Sequence, residues 1–202
     1  MTAVITKPKL SFSQFINQLP DEEGCYELVN GEIMRKQPTR KHDDIADEIA
    51  DILKMEAKRS NLNYRISGRI VIRTETQTGQ EQGRYPDLAV VDKDVWESNL
   101  TAQSVLYDAP VLVVEVVSTN WEDDYIDKLT EYQLLGIKEY WLIDYLAVAS
   151  RSWLGNPKQP TIFVCTLDEN NIYQIKSYQG DNRIESSTFP KLKLTPLELF
   201  EK

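Results

Sequence analysis

Residues 110–118 (PVLVVEVVS) limit the possible folds more than any other stretch of the chain. On a strand, Val111, Val113, Glu115 and Val117 share one face, and Leu112, Val114 and Val116 share the other. Both faces are apolar, so the strand belongs inside a sheet covered on both sides. Glu115 interrupts that run, and burying an unpaired ionised carboxylate costs several kcal/mol even after relaxation. It can be protonated, paired with one arginine, or placed at a frayed end that reaches water. It can also share a cation with a second acid.

A second acid is available. Asp87 follows Pro86 and heads the apolar run LAVV (88–91), 28 residues before Glu115. If the two strands pair, opposed side chains come within about 5 Å. Carboxylates that close repel, so one holds a proton or a cation lies between them. Composition narrows the choice of cation. With one histidine, His42, two cysteines, Cys25 and Cys165, and no CxxC, the chain cannot assemble a Cys/His zinc site. A Cys–His nucleophile would need His42 to meet a cysteine in space. Oxygen ligands suit a hard divalent ion such as Mg²⁺. A Pro-Asp dipeptide by itself also begins turns.

Lys128 shares a helical face with Tyr125, Tyr132 and Leu135, which directs it toward the end of the Glu115 strand. The alternative is a snorkelling lysine paired with Asp124 or Glu131 at the surface. Glu48 flanks the apolar stripe of an earlier helix and is either solvated or an added ligand. Asp144 and Trp141, in EYWLID, read as structural.

The spacing predicts a short helix over 11–19 capped by Ser11, then a hairpin at Asn30-Gly31. A helix over 42–59 carries the stripe Ile45, Ile49, Ile52, Leu53 and Glu56. Strands follow at 64–74, 85–92 and 110–118, with a polar loop over 75–84 and a connector over 93–109. The strand at 64–74 would carry Arg65, Arg69 and Arg73 on one face. A helix over 121–135 ends at Gly136, and 139–145 returns as a strand. Shorter strands are expected at 148–153, 161–167, 172–178 and 183–187, then a helical turn opened by Thr195-Pro196. The result is a mixed α/β (α+β) domain with one sheet and a β-rich C-terminal extension. It reads as a single domain over 1–202: helix and hairpin in 1–40, core in 41–145, C-terminal strands in 146–202.

The chain has 23 Lys and Arg against 32 Asp and Glu, a formal charge of −9. That argues against tight non-specific DNA binding, which needs a concentrated basic surface. Arg35, Lys36, Arg40, Lys41 and His42 nevertheless crowd the entry to the 42–59 helix, and Arg84 precedes Pro86. Together they form either a basic rim on an acidic body or a merely solvated loop. No apolar run approaches the roughly 20 residues a membrane helix needs. Met1 to Leu10 lacks an apolar signal core, so a cytoplasmic setting is expected. Strand edges after residue 160 suggest a homo-oligomer.

These motifs, in this order, resemble a known pattern. Pro86-Asp87 followed by Glu115-Val116-Val117 resembles the PD-(D/E)XK nuclease signature. YELVNGEI (26–33), PDLAVV (86–91), PVLVVEVVS (110–118), Asp127-Lys128 with Tyr132, and GIKEYWLID (136–144) together resemble the Uma-two family of restriction-endonuclease-like proteins, over roughly residues 10–200. The resemblance implies a restriction-endonuclease-like mixed central sheet flanked by helices, and Mg²⁺- or Mn²⁺-dependent hydrolysis of DNA. Asp87, Glu115 and the Val116 carbonyl would hold the ion. The E-X-K lysine position is Val117, so the resemblance moves that role to Lys128. Glu48 and His42 would be a further ligand and a phosphate or proton-relay contact, and Tyr132 would position Lys128. The alternative is a non-catalytic nuclease-like module that binds nucleic acid or a protein partner.

Overall fold

The computed structural model describes residues 8–20 and 22–201, so most of the Met1–Leu10 expectation lies outside the described residues. Helix α1 (Phe12–Asn17) opens on Ser11, whose hydroxyl accepts from the Gln14 N–H while the Gln14 side chain accepts from the Ser11 N–H. Strands β1 (Cys25–Val29) and β2 (Glu32–Lys36) form the expected hairpin. Asn30 and Gly31 both take the positive φ that its two-residue turn requires. Helix α2 (Arg40–Ser60) is capped by the Thr39 hydroxyl and ends on left-handed Asn61, with Ile45, Ile49 and Leu53 buried.

The chain continues through β3 (Tyr64–Ser67), β4 (Val71–Glu75), β5 (Glu81–Arg84), β6 (Leu88–Asp92), α3 (Lys93–Glu97), β7 (Val105–Leu106) and β8 (Leu112–Val116). A π-helical turn, Asp123–Lys128, leads into α4 (Leu129–Leu135), which Gly136 caps at φ 87°. Next come β9 (Glu139–Asp144), α5 (Arg151–Leu154), β10 (Thr161–Leu167), β11 (Tyr173–Tyr178) and α6 (Pro196–Phe200), the last capped by Thr195.

The strands form two sheets where the sequence suggested one. The smaller has the order β2-β1-β5-β4-β7 and the larger β11-β10-β9-β8-β6-β3. β8 lies inside the larger sheet, parallel to β9 and antiparallel to β6. One face of that sheet packs Leu88, Val90, Val114 and Trp141 against α2. The other packs Ala89, Val113, Val117 and Leu142 against Tyr125 and Tyr132 of the 121–135 helical segment. α1 closes the smaller sheet with Phe12 and Phe15 on Leu28.

Three expected strands change. The 64–74 strand splits at residues 68–70 into β3 and β4, which belong to different sheets. Ile66 faces the α2 side while Ile70 and Ile72 face the other core, a change of side that the recurrence of isoleucine at even positions conceals. Residues 148–150 are instead irregular and 151–153 belong to α5. Asp144 draws the chain round there by accepting from the Val148 and Ala149 N–H groups. Residues 183–187 are irregular, pinned by a bond from the Ile184 N–H to the Leu194 carbonyl. The C-terminal strands β10 and β11 extend the central sheet itself. Among the described residues no helix is long and apolar enough to cross a membrane.

Candidate active site

The chain crosses from the smaller sheet to the larger through Tyr85-Pro86-Asp87, between β5 and β6. The β6–β8 register pairs Leu88 with Val114 and Ala89 with Val113. One step further along this ladder Asp87 falls opposite Glu115, and opposed antiparallel residues point to the same side. Both carboxylates therefore face the layer of α4 and the π-helical turn.

Each carboxylate is held at one oxygen by the scaffold. Asp87 Oδ2 accepts from the Val116 N–H at 2.7 Å and lies 3.2 Å from His42 Nε2. Glu115 Oε1 accepts from the Tyr132 hydroxyl at 2.8 Å. The other two oxygens converge on Lys36. Its Nζ lies 3.1 Å from Asp87 Oδ1 and 3.4 Å from Glu115 Oε2, and donates to the Tyr85 carbonyl at 3.0 Å. Lys128 Nζ adds a second ammonium, 3.1 Å from Glu115 Oε2 and 2.9 Å from Asp124 Oδ1.

A second ionic layer lies behind the first. Arg84, only 1% exposed, grips Glu131 with two bonds of 2.6 and 2.8 Å and reaches Asp123 at 3.1 Å. Glu27 from β1 accepts from the Tyr85 N–H and lies 3.7 Å from Arg84 and 3.9 Å from Lys128. Across both layers, Glu27, Asp87, Glu115, Asp123, Asp124 and Glu131 face Lys36, Arg84 and Lys128. Six carboxylates against three strong cations leave a negative site, even with His42 charged.

Burial carries Glu115 up to about 7, because desolvation outweighs the lowering by Lys128 and Lys36 while Asp87 adds to the rise. Burial would raise Asp87 too, but Lys36, the His42 hydrogen bond and Lys128 together hold it well below the usual carboxylate range. Burial would lower His42, yet its bond to Asp87 leaves it raised. Lys36 is likewise raised against its desolvation, by Glu115 and Asp87. The pair thus divides into a strongly acidic member and one that takes up a proton near neutrality.

The site opens into a cleft of about 440 Å³, walled by Lys36, His42, Glu115, Val116, Asp124 and Lys128. A hollow of about 450 Å³ at the end of α2 is lined by the exposed Lys54, Lys58 and Lys93 and lacks buried acids. Among the described residues, no group of three or more His, Cys, Asp or Glu side chains is arranged to hold a metal ion. The structure instead has a carboxylate pair closed by ammonium. A hard cation such as Mg²⁺ needs only one or two carboxylates besides water. Asp87 Oδ1 and Glu115 Oε2, already converging on one cationic point, meet that demand.

Asp87, Glu115, Val116, Lys128, His42 and Tyr132 thus meet at one place. Tyr132 bonds Glu115, where the expectation had it supporting Lys128. Glu48 lies half-buried on α2 and does not line the cleft. Arg84 is corrected from a rim residue to a buried one, since Glu131 and Asp123 occupy its guanidinium. Lys36 is corrected from the rim to the centre of the carboxylate pair. Arg35, Arg40 and Lys41 are exposed, and Arg35 lines the cleft. The expected arginine face does not form: Arg65 stacks on Trp96 and Arg73 is held by Glu75 and Glu81. Glu27, unnoticed in the sequence, sits between Tyr26 and Leu28 on a strand buried on both faces, the same signal that singled out Glu115.

A sequence profile named Uma2 and described as "Putative restriction endonuclease" matches residues 12–197. No curated protein matches the chain. Among solved structures, a protein of Anabaena variabilis described as a "putative nuclease belonging to DUF820" shares the fold. Its TM-score is 0.71 at 20% identity, covering 95% of this chain and 98% of that one. With the profile spanning nearly the whole sequence, on a fold that brings Asp87, Glu115 and Lys128 together, the chain belongs to the Uma2 family.

Proposed function

We propose that the protein is a divalent-metal-dependent endonuclease that hydrolyses phosphodiester bonds in DNA. The observation that carries this reading is the convergence of Asp87 and Glu115 on one cationic point, with Glu115 and Lys128 lining a cleft and Lys128 3.1 Å from the same Glu115 oxygen. Asp87 Oδ1 and Glu115 Oε2, with the Val116 carbonyl, would hold Mg²⁺ or Mn²⁺. Such an ion supplies Lewis-acid activation of the phosphodiester and of water when bound.

The chain's own residues prepare the site. Val116 N–H and His42 fix Asp87, and Tyr132 fixes Glu115, so each acid presents one oxygen in a set direction. Lys128 holds a positive charge where charge develops on a phosphate, kept there by Asp124. His42, through Asp87, is the candidate for a phosphate or proton contact at the cleft wall. Arg35, Arg40 and Lys41 form the rim that would meet the DNA backbone. A cytoplasmic setting and self-association through exposed sheet edges belong to the same proposal.

Incubation of the full chain with supercoiled plasmid tests it. Mg²⁺ or Mn²⁺ is expected to produce nicked circles, and EDTA or Glu115→Ala to abolish them. Retention of DNA in EDTA that Asp87→Ala leaves unchanged, with no cleavage at any metal concentration, would instead identify a non-catalytic binding module.

A further inference from the structure

Three oxygens surround the Lys36 ammonium: Asp87 Oδ1 at 3.1 Å, Glu115 Oε2 at 3.4 Å and the Tyr85 carbonyl at 3.0 Å. Two carboxylates and a carbonyl are the donor set that a hard divalent ion selects. The protein's own cation already sits in it. Mg²⁺ needs oxygens at about 2.0–2.1 Å, so an ion bridging the same two carboxylate oxygens would claim the space the ammonium fills.

One of the two lysines has to yield, and the structure distinguishes them. Lys128 is 2% exposed, lies on the helix packed against the sheet, and is tied to Asp124 at 2.9 Å. Lys36 is the last residue of β2, and its side chain is 22% exposed at the cleft wall. Its flexible four-carbon stem can carry the ammonium out into the cleft without disturbing a strand. Tyr132, Val116 N–H and Lys128 would go on holding both carboxylates in place.

We propose that Lys36 sets the metal affinity of this site. Its ammonium fills the cation position between Asp87 and Glu115 in the metal-free protein and leaves that position when a divalent ion enters. The inference rests on the metal-dependent reading above and adds a competitor to it. It also accounts for the pairing of Glu115 in the larger sheet, and Asp87 at its edge just before β6, with a lysine from the smaller one: the ion-free pair keeps a counter-cation that the hairpin delivers.

Calorimetric titration of the full-length protein with Mn²⁺ in EDTA-free buffer tests the exchange without relying on cleavage. Lys36→Met is expected to bind Mn²⁺ at least about tenfold more tightly than the wild type. Lys36→Arg, which keeps the charge, should show no such gain. Equal or weaker binding by Lys36→Met, with Glu115→Gln abolishing binding in both backgrounds, would overturn the role of Lys36 and leave the metal site standing. Absence of saturable Mn²⁺ binding in both wild type and Lys36→Met would remove the metal-dependent reading and this inference together. Should Lys36→Met fail to fold, the wild type supplies the answer through its lysine ¹³Cε resonances. The Lys36 signal, identified by its loss in Lys36→Arg, is expected to shift saturably with Mg²⁺. A signal unmoved while calorimetry records Mg²⁺ binding overturns the proposal.

Discussion

Glu115 shows why a buried acid in β structure has to be judged by its partners. Glu139, at the start of the neighbouring strand β9, is fully buried as well. It is surrounded by hydrogen-bond donors: Trp141 Nε1 at 2.6 Å, the Ser186, Ser187 and Thr188 hydroxyls, and the Thr188 N–H at 2.8 Å. Such an acid ties a C-terminal loop to the sheet and requires no ion. Glu115 differs because its neighbours are a second carboxylate, two ammonium groups and a cleft. That difference carries a pH signature. Since burial raises Glu115 from 4.5 to about 7, the folded protein binds more protons than the unfolded chain between those values. Its contribution to stability is therefore complete below 4.5 and is lost as pH rises through 7, a decline of about 3 kcal/mol. Asp87 has the opposite sign, its contribution being lost as pH falls below the ordinary carboxylate range. Urea denaturation from pH 4.5 to 7.5 should show the Glu115→Gln variant losing less stability than the wild type. Parallel curves would mean that Glu115 is ionised throughout. Glu115 was legible in the sequence because a charge interrupts an apolar run. Glu139 was not, because its donors other than Trp141 lie 47 to 49 residues away and leave no local mark.

Among the elements, the junction between the two sheets decides whether the acids meet. β3 is hydrogen-bonded to β6, and Gly68, immediately after β3, passes against the Asp87 backbone. A Cβ built on Gly68 would lie 2.6 Å from the Asp87 carbonyl oxygen, a backbone atom with little room to move. Gly68→Ala should therefore push the Pro86–Asp87 segment away from β8, at a cost of about 1–3 kcal/mol, the range for overpacking. Divalent-metal binding should weaken beyond what the lost stability explains. Denaturant titration alongside calorimetry at a temperature where the variant remains folded would separate the two effects, and unchanged metal binding would refute this positioning role. The same glycine marks where sequence reading failed. Isoleucine recurs at the even positions 66, 70 and 72, and that spacing does not reveal that the chain changes sheets between them. Long, self-contained signals were read correctly: the α2 stripe, the Asn-Gly turn and the apolar β8. The π-helical turn at Asp123–Lys128 was not legible, since its apolar and acidic residues also suit a regular helix. There Asp124, Tyr125 and Lys128 are buried together.

At the scale of the whole molecule, the charge balance limits how DNA can be held. The chain carries −9, and splitting the 64–74 segment removes the arginine stripe that would have offset it. Arg84 and Lys36 are likewise spent inside, on Glu131 and on the carboxylate pair. Among the described residues, Arg35, Arg40 and Lys41 are the exposed basic residues at the β2–α2 side of the cleft, with Arg35 also 3.8 Å from Glu22. Sequence alone could not settle this, because sorting cations into buried and exposed requires knowing which sheet each strand joins. The consequence is quantitative. Each neutralised phosphate contributes about 0.9 to the slope of log affinity against log salt, so three rim contacts predict a slope near about −3. Fluorescence anisotropy with a short duplex, in EDTA to prevent cleavage, should give that shallow slope, with weak binding that disappears as salt approaches physiological levels. Arg40, at the start of α2 beside the cleft-lining Thr39 and His42, is expected to be one of the three. Arg40→Ala should reduce the slope by about 0.9 and weaken binding to unrelated sequences equally. A wild-type slope several times steeper would require more basic residues than the rim of this cleft presents among the described residues, and would bring in a second surface or a second copy of the chain. A slope indifferent to Arg40→Ala would move the DNA track away from the α2 side of the cleft.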